Sequence, residues 1–594
     1  MQRAIILNIA HAKIFAQNVA EVDEVISFCP SATYYLEEKR YRVTSTASIY
    51  GAGEHGEVVE LVNRELPLLV KRASEQYDLE YAETEGLKVY LYHYLSCAYH
   101  LHFCLRALND GSHFHWVDNK EMRYGDFSTM FASLAAQPTK AILSYAYTGY
   151  SLPHFLLAAM FNHITALAIQ RSKRIKVIDY GDELPKRIVK AMIDNGDKPL
   201  VINTYHVSKN PLKTTRFFFK SLVRLLSGKA DGKPAYMFRA ALPAKYRIEA
   251  QPFAIPKLHD KHVENITREM VERFIPFTRT EVEMGKKITF AIKPDIAVSD
   301  HAKYAYILGG LEVLKLLGGR HAMLNHGTHT IQYDGISKTA ALLWAAQERA
   351  INRNTTHSLP KSPLTAALVK EIRPTDDYKL VKLNVYGRIE NKASPDGRFV
   401  ILQAGNYTDA YNHIPWCKET ADEYLLAIVE LLEEVGKLEN VELIIKLKNK
   451  KADTHKKIVQ GHIDRLGIND KARVDTTSKF SDLMARAHIV VCNLSGTIEE
   501  ALANNIPLMI HTYRKNYFHI APETADASEK NGLAPAYLVK ERTDIAKIIE
   551  KLTVNRAGLN DPALFRDVAW QQNELTSIND LAKDLVQTAG KKRK

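Results

Sequence analysis

Short aliphatic runs alternate with longer stretches of helical spacing along the first half of the chain. Ala4-Ile5-Ile6-Leu7 and Val25-Ile26-Ser27-Phe28 read as buried parallel strands. Val58 to Tyr77 repeats apolar residues at Val59, Val62, Leu66, Leu69 and Val70, which predicts a helix, and Leu87 to Leu108 predicts a longer one rich in Tyr and His. No pair among His93, His100 and His102 has the i,i+3 or i,i+4 spacing of a metal pair, so they read as packing residues. Further strands are expected at Lys176–Asp179, Leu200–Thr204, Ile288–Ile292 and Ile296–Ser299. Between them, Asn210 to Arg279 is basic, aromatic and aperiodic, and reads as a helical insertion.

The pattern changes near residues 350–395, where polar, turn-rich sequence ends in Ser394-Pro-Asp-Gly. Beyond it the alternation is regular. Strands at Phe399–Ala404, Val441–Lys446, His488–Cys492 and Pro507–Ile510 are separated by helices at Ala421–Val435, His455–Leu466 and Thr497–Asn504. Alternation of this kind means a parallel, doubly wound sheet, which binds ligands at the carboxyl ends of its strands. The expected domains are an N-terminal Rossmann-like half at 1–385 with its insertion at about 210–285, a second Rossmann-like domain at 386–575, and a basic tail at 576–594.

Composition narrows the class. With 46% hydrophobic and 25% charged residues in 594, the chain is a folded globular protein. Five Cys without a C-x-x-C pair exclude a disulfide framework and a zinc site, and point to a reducing compartment. Eighty Lys and Arg against 68 Asp and Glu give +12, which suits an anionic partner. No helix-turn-helix, zinc-finger or RNA-recognition signature is present, so nucleic acid is not expected. Ala141 to Gln170 lacks charge, but Pro153, His154, Asn162 and His163 interrupt it, and a buried helix is expected rather than a span. Gly51, Gly53 and Gly56 form a G-x-G-x-x-G that does not clearly follow a strand, and Asp179-Tyr-Gly-Asp reads as a polar turn rather than a metal motif.

Candidate chemistry lies in two segments. In the first, the strand 488–492 runs into Ser495-Gly496-Thr497, and a helix starts at once with Glu499 and Glu500 in its first turn. Hydroxyls, a glycine and first-turn amides at one point can hold a phosphate, and a following Glu can reach a ribose or sugar hydroxyl. The stretch resembles the donor-nucleotide segment of GT-B glycosyltransferases. Two upstream features share the resemblance: a strand opening into Gly405-Asn406, and Lys446 and Lys448 at the end of the strand 441–446. The resemblance implies that Gly405, Asn406, Lys446, Lys448, Ser495, Gly496, Thr497 and Glu500 bind the donor.

In the second segment, Lys293-Pro-Asp295 opens a strand that ends at Ser299-Asp300, and a helix and a further strand lead to His326-Gly327-Thr328-His329. This resembles the Pro-Asp and His-Gly arrangement of bacterial capsule and lipopolysaccharide transferases, including Kdo and sialic-acid-type transferases and teichoic-acid polymerases. His329 stands where the teichoic-acid enzymes have Pro, which argues against CDP-glycerol. A His whose charge changes near neutral pH suits activation of an acceptor hydroxyl, so His326 is expected at the reacting centre with Asp300 or Asp295, and His329 beside them. The expected fold is α/β and GT-B-like, with two Rossmann-like halves and parallel sheets. The implied activity is a glycosyltransferase that moves a sugar, CMP-activated Kdo or another nonulosonic acid first, to a bacterial surface glycan or glycolipid. Open alternatives are a UDP-sugar transferase or epimerase, a CDP-polyol phosphotransferase, and a non-catalytic glycan-assembly protein. The implied partners are a nucleotide sugar and a glycan or lipid-linked glycan acceptor, with a peripheral contact at the inner face of the cytoplasmic membrane. No metal or other cofactor is expected, and the expected location is cytoplasmic.

Overall fold

The computed structural model describes residues 1–146, 152–181, 184–206, 211–227, 233–239, 252–300, 304–324, 338–339, 353–375, 377–383, 385–390, 397–404, 421–447, 453–493, 495–514, 524–527 and 532–590. Three sheets carry the fold. The first, of five strands, is built from Gln2–Ile6, Glu24–Ser27, Val43–Ser45, His113–Asp118 and Glu121–Gly125 in the spatial order 3-2-1-4-5. The second has seven: Lys176–Asp179, Leu200–His206, Ala235–Arg239, Ile296–Ser299, Arg320–Leu324, His357–Leu359 and Lys379–Leu380, in the order 7-6-5-4-1-2-3. The third also has seven: Phe399–Ala404, Val441–Lys446, Ala472–Asp475, Ile489–Cys492, Leu508–Ile510, Thr524–Asp526 and Ala536–Leu538, in the order 3-2-1-4-5-7-6.

Every strand pair of the second and third sheets is parallel, and only the last pair of the first sheet is antiparallel. In each sheet the strand order reverses between strands one and four, which opens a crevice at their carboxyl ends. The protein is therefore α/β, with the parallel Rossmann-like halves that the sequence implies and a further, smaller sheet ahead of them. The first and second sheets share one core. The helices Ala52–Tyr77, Tyr81–Leu105 and Lys261–Ile292 lie between them, and Ile5 of one sheet and Ala297 of the other belong to the same apolar cluster. The third sheet has its own cores on its two faces.

Several elements depart from the sequence reading. Ile288–Ile292, expected as a strand, is the last turn of the helix Lys261–Ile292. Its buried positions Val282, Gly285, Ile288, Thr289 and Ile292 keep helical spacing, while Phe290 points to solvent, so the period is 3.6 and not 2. The stretch 210–285 contributes the helix Pro211–Ser227 and then Ala235–Arg239, which pairs with Leu200–His206 and extends the second sheet. The low-charge stretch 141–170 spans the end of one helix, Phe127–Ala146, and most of another, Leu152–Arg171. Residues Ile578–Gly590, expected as tail, form a helix whose Leu581, Ala582 and Leu585 are buried with Val177 and Ile188 of the second unit. The basic residues 591–594 lie outside the described residues.

The chain thus crosses from the second unit to the third and back again. The two crossings touch through the Leu383–Thr576 bridge and the Lys382–Glu574 ion pair at 2.8 Å. A cleft of about 740 Å³ runs beside them, lined by Lys361, Tyr386, Arg388, Asn504, Trp570 and Gln571 among others.

Candidate functional site

The carboxyl edge of the third sheet holds the first candidate segment. Ser495 is buried, and its hydroxyl donates to Thr497 Oγ1 at 3.0 Å while accepting from the Thr497 amide at 3.3 Å. The Ile498 amide donates to the Ser495 carbonyl at 3.0 Å and the Glu500 amide to the Gly496 carbonyl at 3.2 Å. These bonds start the helix Thr497–Ala503 and engage three of the amides that a phosphate would otherwise use. Gly496 has ordinary helical φ, and a Cβ there would meet nothing within 4 Å, so this residue borders open space.

The two acidic residues of this turn differ. Glu499 is buried, and Oε1 accepts from Ser362 Oγ at 2.5 Å and from Thr365 Oγ1. Ser362 also caps the helix Pro363–Ile372 of the second unit, so Glu499 joins the carboxyl edges of the two halves. Burial raises the Glu499 pKa, against the opposing pull of Lys361 and the two hydroxyls. Glu500 is half-buried, and burial raises its pKa too, with Lys361 again opposing. Lys361 follows the sixth strand of the second unit, and the sequence reading missed it.

Lys446 stands where the sequence places it, at the end of a strand, but its ammonium is engaged. It donates to Asp475 Oδ1 at 3.0 Å and to the Ser478 carbonyl at 2.7 Å. Burial works to raise the Asp475 pKa, but bonds from Ser478 and Lys446 hold the carboxyl well below the usual range. The structure therefore gives Lys446 a partner within the third unit, whereas the sequence assigns it to a phosphate. Gly405, Asn406 and Lys448 lie outside the described residues.

The first unit also reaches this edge. Ser45 donates to Asp422 at 2.8 Å, Ser31 lies 3.1 Å from His455 Nε2, and Arg514 pairs with Glu423 while its guanidinium sits 4.5 Å over the Tyr50 ring. Gly51 of the G-x-G-x-x-G precedes the helix Ala52–Tyr77, after the third strand of its sheet and not the first, which is the wrong place for a dinucleotide fingerprint.

The carboxyl edge of the second sheet holds the other segment. Asp300 follows the fourth strand and is buried against the turn after the first, where a Cβ on Gly181 would lie 2.9 Å from Asp300 Cγ. Only glycine lets that turn pass. Asp179, at the same crevice, accepts from the Gly181 amide at 2.9 Å. Asp295 is elsewhere. It precedes the strand Ile296–Ser299, accepts from the Lys176 amide at 2.8 Å, and ties the amino ends of strands one and four. A four-residue strand, about 13 Å long, separates it from Asp300. The structure thus brings Asp300 to the crevice and leaves Asp295 at the opposite edge. His326 and His329 lie outside the described residues.

Sequence reasoning missed a third acidic residue at this edge. Glu281 lies on the helix Lys261–Ile292, 7% exposed, and its carboxyl makes no hydrogen bond among the described residues. Burial pushes its pKa up to about 7, with Arg239 opposing. Arg239 ends the third strand and stacks 4.2 Å over Tyr306, which also packs against Tyr180 and Tyr304. A Cβ on Gly285 would strike the Tyr306 carbonyl, and one on Gly309 the Val282 carbonyl. The helices Lys261–Ile292 and Ala305–Leu316 thus cross backbone to backbone, which is what places Glu281 beside Tyr306. The sequence signal was a lone carboxylate inside the apolar stripe Phe277, Thr278, Val282, Gly285, Ile288.

Among the described residues no group of three His, Cys, Asp or Glu comes together to hold a metal ion.

No protein-family model matches the chain, and no curated protein matches it. Solved structures with similarity include UDP-GlcNAc 2-epimerase from Neisseria meningitidis bound to UDP-GlcNAc, at 13% identity and a TM-score of 0.38, covering 70% of this chain and 100% of that one. A glycosyltransferase from Rickettsia africae matches at 12% identity and 0.38, covering 71% and 99%. UDP-N-acetylglucosamine 2-epimerase from Rickettsia bellii matches at 13% and 0.37, covering 70% and 96%. Likeness of this degree carries no argument by itself, and the fold stated above rests on the sheet orders and registers.

Proposed function

We propose that the protein is a nucleotide-sugar enzyme, a glycosyltransferase or an epimerase, working where the carboxyl edges of the second and third units meet. The observation that carries this reading is the bond from Ser362 and Thr365 to Glu499, which holds one switch-point edge against the other. On this reading the nucleotide lies along Ser495, Gly496, Thr497 and Glu500, with Gly405, Asn406 and Lys448 contributing to the same crevice. The second unit supplies the reacting centre through Asp300, His326 and His329. Glu281 exchanges a proton there near neutral pH, the range in which an acid–base group is most effective.

The sugar end supports a neutral donor sugar. Asp179, Asp300 and Glu281 gather at this edge against a single described guanidinium, that of Arg239. The carboxylate of a Kdo-type sugar would add a fourth acidic group, whereas a UDP-hexose confines its charge to the diphosphate. UDP sugars are therefore preferred to CMP-activated acidic sugars. Thermal-shift measurements with UDP, CMP, CDP and GDP test this. A ligand at about 100 times its Kd stabilises by about 2.7 kcal/mol. UDP is expected to raise the melting temperature and CMP to leave it unchanged; the reverse would restore the acidic-sugar donor, and no shift with any nucleotide would contradict the class.

A further inference from the structure

Two neighbouring helices of the second unit carry an apolar stripe on their outward side in addition to the one they bury. Leu152–Arg171 exposes Leu156, Met160, Ile164 and Leu167, and Pro211–Ser227 exposes Leu212, Phe219, Val223 and Leu226. They hold eight of the eighteen large apolar side chains exposed among the described residues, which is a concentration and not scatter. On each helix the exposed residues recur with helical spacing, so each set forms one stripe. The inward sides are already filled, with Ala158, Phe161, Ile169 and Phe218 buried beside the hydroxyls of Thr165, Thr214 and Ser221. The helices are fixed to each other by the stacked rings of Phe161 and Phe218, 3.9 Å apart, so neither stripe can turn inward without dismantling that contact.

Charge says what covers the face. Neither helix contains an Asp or Glu. Lys213, Arg216 and Lys220 are exposed along the outward side of the second helix, Arg224 is half-buried there, and Arg171 ends the first. An apolar stripe flanked by cations alone complements a surface with an apolar interior and an anionic rim. No described helix is long and apolar enough to cross a membrane, so such a face would lie on a bilayer and not span it. We propose that these two helices dock the protein on an anionic lipid surface, with Leu212, Phe219 and Leu226 entering the acyl boundary and Lys213, Arg216 and Lys220 meeting the headgroups. The strand Ala235–Arg239 packs beneath both helices and ends in Arg239, so the docked face adjoins the candidate edge of the second unit. The docking does not depend on the transferase reading.

Flotation of the full chain with vesicles tests it directly. Binding is expected to vesicles of phosphatidylcholine with phosphatidylglycerol, weakly or not at all to phosphatidylcholine alone, and to fall as salt rises. Leu212→Ser, Phe219→Ser and Leu226→Ser together alter only exposed side chains and should lower partitioning at least about tenfold with an unchanged circular dichroism spectrum. Lys213→Gln and Lys220→Gln should each lower it roughly fivefold. Absence of flotation with the anionic vesicles, or equal flotation of the triple variant, would overturn the proposal. So would a wild-type dimer that the triple variant converts to monomer, because the face would then belong to a second copy of the chain.

Discussion

The second and third units share a strand order, 3-2-1-4, and each buries a carboxyl group near its switch point, yet the two groups are treated differently. Glu499 receives two hydroxyls from the neighbouring unit; Glu281 receives none among the described residues. A buried carboxyl with donors is part of the architecture, because removing it strands its partners. One without donors destabilises the fold whenever it ionises, and is kept for something other than stability. The same architecture thus provides a joint at one edge and, at the other, a buried carboxyl whose pKa burial raises.

The largest expected effect separates the two by pH. Glu281 titrates near 7 when folded and near 4.5 when unfolded. Its folded pKa is raised, so the stability it contributes is complete below about pH 4.5 and is lost as pH rises to about 7, a loss of about 3 kcal/mol. Urea unfolding of Glu281→Gln should show that slope removed between these limits; a slope identical to wild type would mean that Glu281 ionises freely. Next, Glu499→Ala should cost about 2–3 kcal/mol, since Ser362 and Thr365 lose their acceptor. Limited proteolysis should then open the crossings at 383–390 and 560–575. Resistance equal to wild type would show that this contact does not hold the halves.

Smaller effects sharpen the contrast. Lys446→Ala should cost about 1–2 kcal/mol in denaturant unfolding, because Asp475 loses its closer cation but keeps Arg473 at 3.4 Å, the amides of Thr477 and Ser478 and the Ser478 hydroxyl. Nucleotide affinity should change less than about threefold; a loss of about a hundredfold with stability intact would return Lys446 to the donor phosphate. Ser362→Ala removes a helix cap and one of the two donors to Glu499, and should cost about 1–2 kcal/mol by the same assay.

The third unit was the more legible of the two in sequence. Its strands are short apolar runs bounded by turns, and its helices are amphipathic, so Phe399–Ala404, Ala421–Val435 and Val441–Lys446 fall where the pattern puts them. Its last two strands, Thr524–Asp526 and Ala536–Leu538, are three residues long, too short for alternation to register. The second unit was obscured by the helix Lys261–Ile292. Thirty-two residues of it place an apolar Ile288–Ile292 beside a true strand at Ile296–Ser299, and five residues cannot distinguish the two periods. Site residues followed the same division. Ser495, Thr497 and Asp300 stand just past the carboxyl ends of strands, where the sequence pattern puts them. Asp295 precedes its strand, so chain order in a parallel sheet already sets it at the amino edge, a strand's length from Asp300. Glu281 and Lys361 were missed because their meaning comes from elements far away in sequence.

A split between binding and turnover at Glu281 separates the roles of the two units. Release of UDP from UDP-hexoses in a single turnover, with UDP affinity measured alongside, would be compared for the wild type and Glu281→Gln. The variant's rate is expected to be lower by about a hundredfold, in line with removal of an acid–base group, and its UDP affinity within about threefold. An unchanged rate, or loss of rate and affinity together, would contradict the assignment of proton exchange to the second unit and nucleotide binding to the third.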